Sequence, residues 1–411
     1  MNNLRILHFA HSFIPKYGGT TTRLCNLLSD KVNTHYLYVP QPKGRENESN
    51  ISLPSEEDFN NIKLRRCKII PKILFRPPII GIFERLNANR MVCMVKDSGI
   101  DIVHGHNPAM FARAALKSSR ILNVPFIYEV HRLPFDSFGS NRKYELPDFI
   151  DTFIRWCYRL EEGTFLSASA AVIVQTQMHK DRILSLFEID SHRINVIPMG
   201  VDEEYFNPLR WQKEGITIKN RLDCNDKVVF MFNGYLGHVN GIELFLSAVQ
   251  ELPGNIKRKM RVVLLGRGPF QEKCERICKC KPDLFQYLGF VKHTNMPQYY
   301  SATDVVVIPL PPMRVWDCNN PTKLLEAMAM EKVILGSDVR GNTDLLKNGT
   351  NGFTFKSGSK KDLIKQIIKI IENFHKIDPL RKMARYDVTN KRTWSQSRAR
   401  LHDLYLRVKT G

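Results

Sequence analysis

The stretch Asn319-Asn320-Pro321-Thr322-Lys323-Leu324-Leu325-Glu326 stands between an apolar run and a run that favours a helix. The apolar run, residues 305–308, has the composition of a buried parallel strand. Residues 327–330 alternate alanine and methionine, which are good helix formers. The order strand, loop, helix predicts an α/β fold in which this loop follows a strand of a parallel sheet.

The same stretch predicts an anion site at the start of the helix. Asn320 can cap the helix, and Pro321 suits its first position because no N–H is needed there. The N–H groups of Thr322 and Lys323 would then point out of the helix, and Lys323 adds a full positive charge. Glu326, about one turn further on, can accept hydrogen bonds from two hydroxyls. A phosphate site beside a diol acceptor suits a nucleoside diphosphate, whereas the alternative is an ordinary capped helix with surface charges.

The rest of the chain repeats the alternation of strand and helix in two halves. The predicted strands lie at residues 4–9, 33–39, 101–104, 125–131, 171–174 and 193–198, and then at 228–232, 261–265, 287–289, 305–308, 333–336 and 353–355. The predicted helices include 21–29, 149–167, one that begins at Ile242, 361–374 and 394–408. This pattern predicts two Rossmann-like doubly wound parallel sheets. We assign residues 1–205 and 206–390 to two domains, place an interdomain connection within 199–226, and expect a last helix within 391–411 to pack on the first domain.

Composition narrows the class of protein. A chain of 411 residues with 43% hydrophobic residues has room for two soluble domains. No apolar run reaches the length of a membrane span, and the N-terminus leads directly into a strand, so we predict an untargeted cytoplasmic protein. Nine scattered cysteines fit reduced thiols, and the group Cys274, Cys278 and Cys280 lacks zinc-like spacing, so no metal site is predicted.

The net charge of +20 predicts attraction to an anionic partner, such as nucleic acid, an acidic membrane or a phosphorylated substrate. Basic and bulky apolar residues interleave from Lys63 to Arg90, with Glu84 as the one acid. Such a stretch suits the anionic inner face of a cell membrane. A strand and a helix with a solvated face would produce the same pattern.

Two predicted strands end in histidine, at His104 and His131. Open α/β sheets bind ligands at the carboxyl ends of their strands, so a functional role is possible for both side chains. A single histidine is more often structural, and the sequence leaves both roles open.

With two such domains, the sequence resembles glycosyltransferase family 4 along nearly its whole length. The matching segments, in order, are Pro15–Gly19, Ile194–Asp202 with Phe206 and Pro208, Gly234–Leu244, Val263–Pro269, Leu288–Val291 and Pro321–Lys332. The resemblance implies the GT-B fold, in which two Rossmann-like domains enclose an interdomain cleft. It also implies retaining transfer of a sugar from a nucleoside diphosphate, with no metal or other cofactor.

The resemblance assigns roles to individual residues. Glu326 matches the second glutamate of the family's E-x7-E motif, which holds the ribose, and His131 matches the active-site histidine. Backbone amides at Thr322 and Lys323 would hold the diphosphate, and Gly18 and Gly19 would face it from the other domain. The remaining positions expected to bind the donor are Gly234, Gly237, Asn319, Asn320, Pro321 and Leu324.

This chain departs from the family pattern at two places. Cys318 occupies the position of the first glutamate, with Asp317 beside it. Tyr235 and Asn240 stand where an arginine and a lysine are usual. We therefore expect Lys323 to carry more of the diphosphate charge, with Arg267 and Arg314 as weaker candidates because they lie near strand ends.

The Pro-x-Lys-x-x-Glu form at 321–326 resembles a bacterial branch that uses UDP-linked sugars. We therefore predict a retaining hexosyltransferase that acts on a glycan or lipid-linked acceptor in surface polysaccharide or glycoconjugate biosynthesis. One alternative is another GT-B enzyme such as a nucleotide-sugar epimerase, which would need no acceptor. A second is a basic nucleic-acid-binding protein, but the sequence contains no recognised binding module and predicts no specific nucleic acid partner.

Overall fold

The computed structural model describes residues 3–15, 18–42, 53–59, 61–69, 80–97, 99–137, 147–224 and 226–411. The chain divides into two compact units. Unit 1 contains Met1–Pro198 and Trp394–Gly411, and unit 2 contains Met199–Thr393.

Unit 1 is built on a sheet whose described strands follow the order β3-β4-β2-β1-β5-β6-β7-β8. All neighbours are parallel except β3 and β4. The strands are β1 (Arg5–Phe9), β2 (Thr34–Pro40), β3 (Glu56–Phe59), β4 (Ile62–Cys67), β5 (Ile102–His106), β6 (Phe126–Glu129), β7 (Ala171–Val174) and β8 (Ile194–Val196). The helices are α1 (Gly19–Leu27), α2 (Ile80–Cys93), α3 (Ala109–Leu122), α4 (Pro134–Ser137), α5 (Asp148–Ala168) and α6 (Gln177–Leu184). Strands β5, β6 and β7 are buried along their whole length, as expected of parallel strands covered on both faces.

Unit 2 contains a parallel sheet of order β11-β10-β9-β12-β13-β14. Its strands are β9 (Val228–Asn233), β10 (Met260–Leu265), β11 (Phe285–Gly289), β12 (Val305–Ile308), β13 (Val333–Ser337) and β14 (Phe353–Phe355). Its helices are α7 (Gln212–Arg221), α8 (Ile242–Glu251), α9 (Gly254–Arg258), α10 (Gln271–Cys280), α11 (Met296–Ser301), α12 (Thr322–Ala329), α13 (Arg340–Thr343), α14 (Lys360–Glu372) and α15 (Asp378–Lys391). The predicted α/β fold with two parallel sheets is confirmed.

Each sheet has a point at which the direction of strand addition reverses. In unit 2 it lies between β9 and β12, and in unit 1 between β1 and β5. At such a switch point the loops after two neighbouring strands leave in opposite directions and open a crevice at the carboxyl ends. The stretch 319–326 follows β12 and therefore lies at the switch point of unit 2.

The segment after Pro198 belongs to unit 2, although the sequence analysis assigned residues 199–205 to the first domain and 199–226 to a connection. The Arg385 guanidinium in α15 donates to the carbonyl oxygens of Phe206 at 3.1 Å and Glu203 at 3.4 Å. The backbone N–H of Val201 donates to Arg392 O at 2.8 Å. Within the predicted connection, α7 is a regular helix that packs on α11. It buries only Gly215 and Ile218, so its sequence carries little apolar periodicity.

The last helix, α16 (Trp394–Thr410), is part of unit 1. Ser397 Oγ donates to Pro198 O at 3.0 Å, and the Arg398 guanidinium donates to Asn26 O at 3.0 Å. The Tyr405 hydroxyl lies 2.8 Å from Nδ1 of His104. The helix therefore contacts both α1 and the switch-point strand β5.

The basic and apolar stretch Lys63–Arg90 forms part of β4 and α2 where it is described, and residues 70–79 lie outside the described residues. Arg65 pairs with Asp97 and Glu56, and Arg66, only 2% exposed, pairs with Glu57. These two arginines are therefore occupied within unit 1. Among the described residues, no helix is long and apolar enough to cross a membrane.

Candidate functional site

The helix start predicted from residues 319–326 is α12, but Asn320 does not cap it. Pro321 is the N-cap residue, with extended backbone angles, and its carbonyl oxygen accepts the N–H of Leu324 at 2.9 Å. The Asn320 amide instead donates to Gly341 O at 2.9 Å and to Asp344 at 3.2 Å. Asn320 therefore anchors the loop to α13. Thr322 and Lys323 are the first two helical residues, where amide N–H groups have no partner within a helix.

Lys323 turns from the helix start toward the end of strand β9. Its ammonium group donates to Asn233 O at 3.2 Å and lies 5.1 Å from the centroid of the Phe232 ring. Burial lowers the pKa of Lys323 to about 8, although the Glu326 carboxylate opposes this shift. The buried ammonium group of Lys323 has lost much of its hydration, which destabilises its charge. A phosphate bound beside it would stabilise that charge, in addition to the Glu326 carboxylate.

The Glu326 carboxylate is buried and already has a partner on each oxygen. Oε1 lies 2.6 Å from His293 Nε2, and Oε2 accepts the Tyr300 hydroxyl at 3.0 Å. Burial alone would lower the pKa of His293, but the Glu326 charge outweighs it and raises that pKa. A carboxylate offers about four lone-pair sites, so Glu326 retains capacity for further hydroxyl donors.

A chain of hydrogen bonds connects Glu326 to strand β9. The Tyr300 hydroxyl that donates to Glu326 accepts a hydrogen bond from Asn233 Nδ2 at 3.0 Å. Lys323 meets the backbone oxygen of the same Asn233. The structure therefore brings the predicted residues Lys323 and Glu326 into one network through Tyr300 and Asn233, neither of which the sequence analysis identified.

The predicted glycines of unit 2 have mainly steric roles. Gly234 has a left-handed backbone with φ +125°, and a Cβ there would lie 3.6 Å from Lys323 Nζ. A Cβ on Gly266 would lie 1.8 Å from Gly234 O, and one on Gly268 would lie 2.3 Å from Leu236 O. The loops after β9 and β10 thus pack backbone against backbone, which requires glycine. A Cβ on Gly237 would meet the ring of Tyr235 at 2.4 Å.

The other predicted donor residues lie in the loop before α12 or beside β10. Arg314 opens a 3-10 turn, Asp317 follows it, and Asn319 Nδ2 donates to Val315 O at 3.2 Å. Arg267 lies over the ring of Phe290 at 4.8 Å. Leu324 is buried in the core of unit 2 and therefore supports the helix.

Tyr235 and Asn240, at the positions of the family's arginine and lysine, interact with each other. Asn240 Nδ2 donates to Tyr235 O at 2.9 Å, and the Tyr235 side chain is 52% exposed. Neither side chain supplies a positive charge. Lys323, whose ammonium group contacts strand β9, is therefore our candidate for the positive charge that these two positions usually supply.

In unit 1, Gly18 and Gly19 begin helix α1. Gly18 is the N-cap residue, and no atom of the described residues lies within 4 Å of a Cβ placed on it. Four residues into the helix, the buried Arg23 forms an ion pair with Glu129. The Arg23 guanidinium also donates to Ile197 O at 2.9 Å and Pro198 O at 3.0 Å. This residue holds α1 over the carboxyl end of β6.

His131 lies two residues beyond β6 and is buried. Its backbone N–H donates to Asn107 Oδ1 at 3.1 Å. Its ring nitrogens face His106 Nδ1 at 3.3 Å and the Gln175 amide nitrogen at 3.1 Å. Burial lowers the pKa of His131 to about 3, although the Glu129 charge opposes the shift. His131 is therefore neutral at physiological pH.

His131 is one end of a row of buried imidazoles. His106 Nε2 lies 3.3 Å from His8 Nδ1, and His8 Nε2 lies 3.0 Å from His35 Nδ1. His35 Nε2 lies 2.8 Å from the Asp30 carboxylate. His35, His8 and His106 come from the neighbouring strands β2, β1 and β5. His8 is in register with His104, and His106, two residues further along β5, has its side chain on the same face of the sheet.

The histidine cluster was only partly predicted. His104 was expected at the end of a strand, but β5 continues to His106 and places His104 within the sheet. His8, His35, His106, Arg23 and Glu129 were missed. The alternation His104-x-His106 at a strand end is the sequence signal that could have identified His106.

Metal ligation at this cluster is opposed by its charges. Two groups, His8 with His104 and His106, and His106 with Glu129 and His131, bring possible ligand atoms within 4.8 Å of one another. The Glu129 carboxylate is already neutralised by Arg23, so a dication would add uncompensated charge to a buried site. The ring nitrogens of His8 and His106 already face other imidazoles. We therefore assign no metal here.

Comparison with known proteins agrees with the fold. Residues 19–205 match the family model described as Glycosyltransferase Family 4, and residues 227–373 match the model described as Glycosyl transferases group 1. Together these segments cover most of both units.

Three curated relatives are glycosyltransferases. The alpha-D-kanosaminyltransferase of Streptomyces kanamyceticus is 22% identical over 65% of this chain and 67% of its own length. The uncharacterized glycosyltransferase MJ1069 of Methanocaldococcus jannaschii is 24% identical over 91% of each chain. The alpha-monoglucosyldiacylglycerol synthase of Acholeplasma laidlawii is 21% identical over 90% of this chain and 89% of its own.

Two solved structures share the fold. Sucrose-phosphate synthase from Thermosynechococcus elongatus superimposes with a TM-score of 0.80 at 15% identity, covering 99% of each chain. Anabaena Alr3699/HepE in complex with UDP gives a TM-score of 0.71 at 15% identity, covering 98% of this chain and 99% of that one.

The two parallel α/β units have the fold of GT-B glycosyltransferases. Within that class, the chain belongs to the glycosyltransferase family 4 type.

Proposed function

We propose that this glycosyltransferase moves a sugar from a UDP-sugar to a glycan or lipid-linked acceptor, with retention of anomeric configuration and without a metal cofactor. The observation that carries the proposal is that Lys323 and Glu326 lie one turn apart at the start of α12, at the switch point of unit 2. A nucleoside diphosphate needs a cation for its phosphates and an acceptor for its ribose hydroxyls, and these two side chains offer both.

The chemistry requires stabilisation of a leaving diphosphate. Breaking the anomeric bond places negative charge on the phosphates, and fixed donors aimed at them lower the barrier. The Lys323 ammonium and the amides of Thr322 and Lys323 can supply such donors. Because Lys323 is held by Asn233 O before any ligand arrives, little reorganisation is needed when charge develops.

Glu326 suits the ribose because its position is fixed from two sides. His293 and Tyr300 hold the carboxylate from separate elements, the 3-10 turn His293–Asn295 and helix α11. Hydroxyl donors of a ribose can use its remaining lone pairs. Asp317, beside the position of the missing first glutamate, is our candidate for contact with the donor sugar.

The names of similar proteins support the donor and the acceptor classes. HepE was solved with UDP and with UDP-glucose. The relative from Acholeplasma is named for a glucosylated diacylglycerol, which is a lipid product. On this basis we propose a role in the synthesis of a surface polysaccharide or glycoconjugate at the cytoplasmic side of the cell.

An assay with purified protein tests the proposal. A panel of nucleotide sugars is screened by thermal shift, since a ligand that binds only the folded state raises its stability. Stabilisation by UDP and UDP-sugars that survives EDTA, followed by acceptor-dependent release of UDP and an α-linked product from an α-linked donor, is the expected result. Release of UDP without acceptor, or conversion of the donor to its epimer, would contradict it.

We further propose that unit 1 associates with an anionic membrane through helix α5. Phe149, Phe153, Trp156 and Leu160 are 75%, 58%, 54% and 53% exposed. Their spacing of three and four residues places them on one face of the helix. Exposed aromatic and leucine side chains on one helix face insert into the lipid interface, and the +20 net charge favours an acidic bilayer.

Sedimentation with acidic lipid vesicles checks this surface. Replacing Phe153 and Trp156 with serine should lower the membrane partition constant by about 100- to 1,000-fold, because each aromatic ring that enters the lipid contributes about 2 kcal/mol. The matched control replaces Met383 and Tyr386, which are exposed on α15 in unit 2. Equal sedimentation of the α5 variant and the parent would refute the assignment.

A further inference from the structure

Five hydrogen bonds join Asp30 to Gln175 through four buried histidines in unit 1. We call this series the histidine chain: Asp30, His35, His8, His106, His131 and Gln175. The five contacts measure 2.8, 3.0, 3.3, 3.3 and 3.1 Å. Each imidazole uses one ring nitrogen toward each neighbour, so the tautomer of one ring restricts the tautomer of the next.

Asp30 determines in which direction the hydrogen bonds of the histidine chain are donated. Its Oδ1 accepts the backbone N–H groups of Val32 at 2.9 Å and Asn33 at 2.7 Å, while Oδ2 faces His35 Nε2. An ionised carboxylate has no hydrogen to donate. A neutral His35 must therefore carry its hydrogen on Nε2, which leaves a lone pair on Nδ1 for His8.

The same step repeats along the chain. His8 donates from Nε2 to His35, His106 donates from Nε2 to His8, and His131 donates from Nε2 to His106. His131 then has a lone pair on Nδ1, which accepts from the Gln175 amide nitrogen. We propose that Asp30 acts through the histidine chain as a positioning residue that fixes His131 as the Nε2–H tautomer.

The ordering requires neutral rings. Burial lowers the pKa of His8 and of His106 well below the ordinary value, and neighbouring histidines lower both further. Although burial by itself raises the pKa of Asp30, the hydrogen bonds from His35 and from the Asn33 and Val32 backbones lower it, so the carboxylate is ionised near neutral pH.

One carboxylate favours the opposite order. Glu129 Oε2 lies 3.4 Å from His106 Nδ1 and Glu129 Oε1 lies 3.7 Å from His131 Nδ1, so a hydrogen on either Nδ1 would be attracted to this carboxylate. Two features weaken this influence. The Arg23 guanidinium neutralises much of the Glu129 charge, and both contacts from Glu129 to the imidazoles are longer than an ordinary hydrogen bond. Asp30 instead meets its imidazole at 2.8 Å.

The consequence for substrate rests on the proposed function. With Nδ1 as an acceptor, His131 can take a hydrogen bond from a hydroxyl of the sugar or the acceptor in place of the Gln175 amide. It cannot donate from that nitrogen. His131 would therefore select a group that donates a hydrogen.

Asp30→Asn is the sharpest test because the geometry predicts a reversal. The two backbone N–H groups at Oδ1 cannot change, so the amide oxygen of the variant stays there and its NH₂ faces His35 Nε2. His35 must then accept at Nε2 and donate from Nδ1. Asn33 Nδ2 also contacts Asp30 Oδ2, at 3.3 Å, and in the variant it would face the new NH₂ group. Because this contact is longer than the one from His35, 2.8 Å, we expect it to break. Every ring in the chain changes tautomer, and His131 becomes Nδ1–H with the Gln175 amide turned over.

The readout is the ¹⁵N spectrum of histidine-labelled protein at pH 8, where an ordinary imidazole is neutral. Long-range ¹H–¹⁵N correlations distinguish the two tautomers, and single His→Gln variants assign the signals. Asp190→Asn is the matched control, because Asp190 also faces an imidazole, His192 Nδ1 at 3.1 Å, but lies outside the chain. Asp30→Ala is a second variant that removes the constraint and should give His131 as a mixture of tautomers.

The expected result is the Nε2–H tautomer of His131 in the parent and in Asp190→Asn, and the Nδ1–H tautomer in Asp30→Asn. Finding His131 as Nδ1–H in the parent would show that Glu129 determines the tautomer and would overturn the inference, as would an unchanged His131 in both Asp30 variants.

Transfer activity is a separate readout. Loss of one substrate hydrogen bond should lower turnover about tenfold in Asp30→Asn. A reversed tautomer with unchanged turnover would retain the inference and refute the substrate contact of His131.

Discussion

The switch points of the two sheets share a topology but differ in their electrostatics. In unit 1 the crevice end contains buried imidazoles that hydrogen-bond to one another and the Arg23–Glu129 ion pair. In unit 2 it holds the ammonium group of Lys323 and the carboxylate of Glu326, which have room for further partners. The comparison teaches that one topology can support either a network of neighbouring imidazoles that hydrogen-bond to one another or a site that gains stabilisation from an anionic ligand.

The largest expected effect concerns the ion pair of unit 1. Arg23→Met should lower the free energy of unfolding by about 3–5 kcal/mol, because it leaves the buried Glu129 carboxylate without its partner. Denaturant unfolding measures this. Adding Glu129→Gln to Arg23→Met should recover much of the loss, since the unpaired charge is then gone. A double variant no more stable than the single one would show that Arg23 acts mainly by packing and by its bonds to Ile197 and Pro198.

The next effect tests the cation of unit 2. Lys323→Ala should reduce turnover about 100-fold, the scale for losing one preorganised stabiliser of developing charge. Lys332→Ala is the matched control, because burial also lowers the pKa of Lys332 to about 8, but this lysine lies beyond the other end of α12. If both variants lose turnover equally, or if Lys323→Ala loses none, the helix-start amides suffice and Lys323 has no special role.

Glu326→Gln should weaken UDP binding by about 10- to 100-fold. Hydrogen bonds to a charged group contribute about 1.5–3 kcal/mol each, and every 1.4 kcal/mol corresponds to a factor of ten. We choose glutamine because truncation to alanine would also leave His293 and the buried Tyr300 hydroxyl without this partner. Calorimetric titration gives the dissociation constant, with Glu331→Gln past the end of α12 as control. A lower melting temperature with unchanged affinity would assign Glu326 a structural role only.

The smallest effect is a pH dependence that arises at Lys323. Its pKa of about 8 in the ligand-free protein lies below the ordinary value of a lysine, so the protein is partly deprotonated above pH 8. UDP binding restores the charge and should therefore take up a proton, and affinity should fall by up to about tenfold per pH unit above pH 8. The stability of the ligand-free protein changes in the opposite direction. Between pH 8 and about 10.5 the unfolded chain binds more protons at this residue, so the same group adds stability as pH rises.

Calorimetry in buffers of different ionisation enthalpy measures the proton uptake. The Lys323→Met variant provides the control, since it should bind UDP more weakly with no uptake from this group. Equal proton uptake by parent and variant would assign the pH dependence to another group, such as His293, whose pKa is raised by Glu326.

The sequence predicted the elements better than their contacts. Strands with continuous Val and Ile, such as β12, and amphipathic helices such as α14 were located to within a residue or two. Helix α7 was missed because it buries few residues and its exposed faces are polar. The cap of α12 was assigned to Asn320 because its type favours that position, but α13 offered its amide a different partner.

In the candidate site, too, the sequence identified residues that are close along the chain but not their distant contacts. Lys323 and Glu326 were found because three positions along one helix bring them together whatever the rest of the chain does. Their partners His293, Tyr300 and Asn233 are 26 to 90 residues away along the chain and could not be found by spacing.

By itself, the sequence determined that this chain forms two parallel α/β sheets, because buried strands and amphipathic helices have local periodicities. It also determined that a lysine and a glutamate stand near the start of one helix. The tertiary structure decided the histidine chain. His8 and His106 are 98 positions apart and meet only because β5 joins the edge of β1 opposite β2. Strand order depends on the packing of whole helices and strands, which no local pattern of residues specifies.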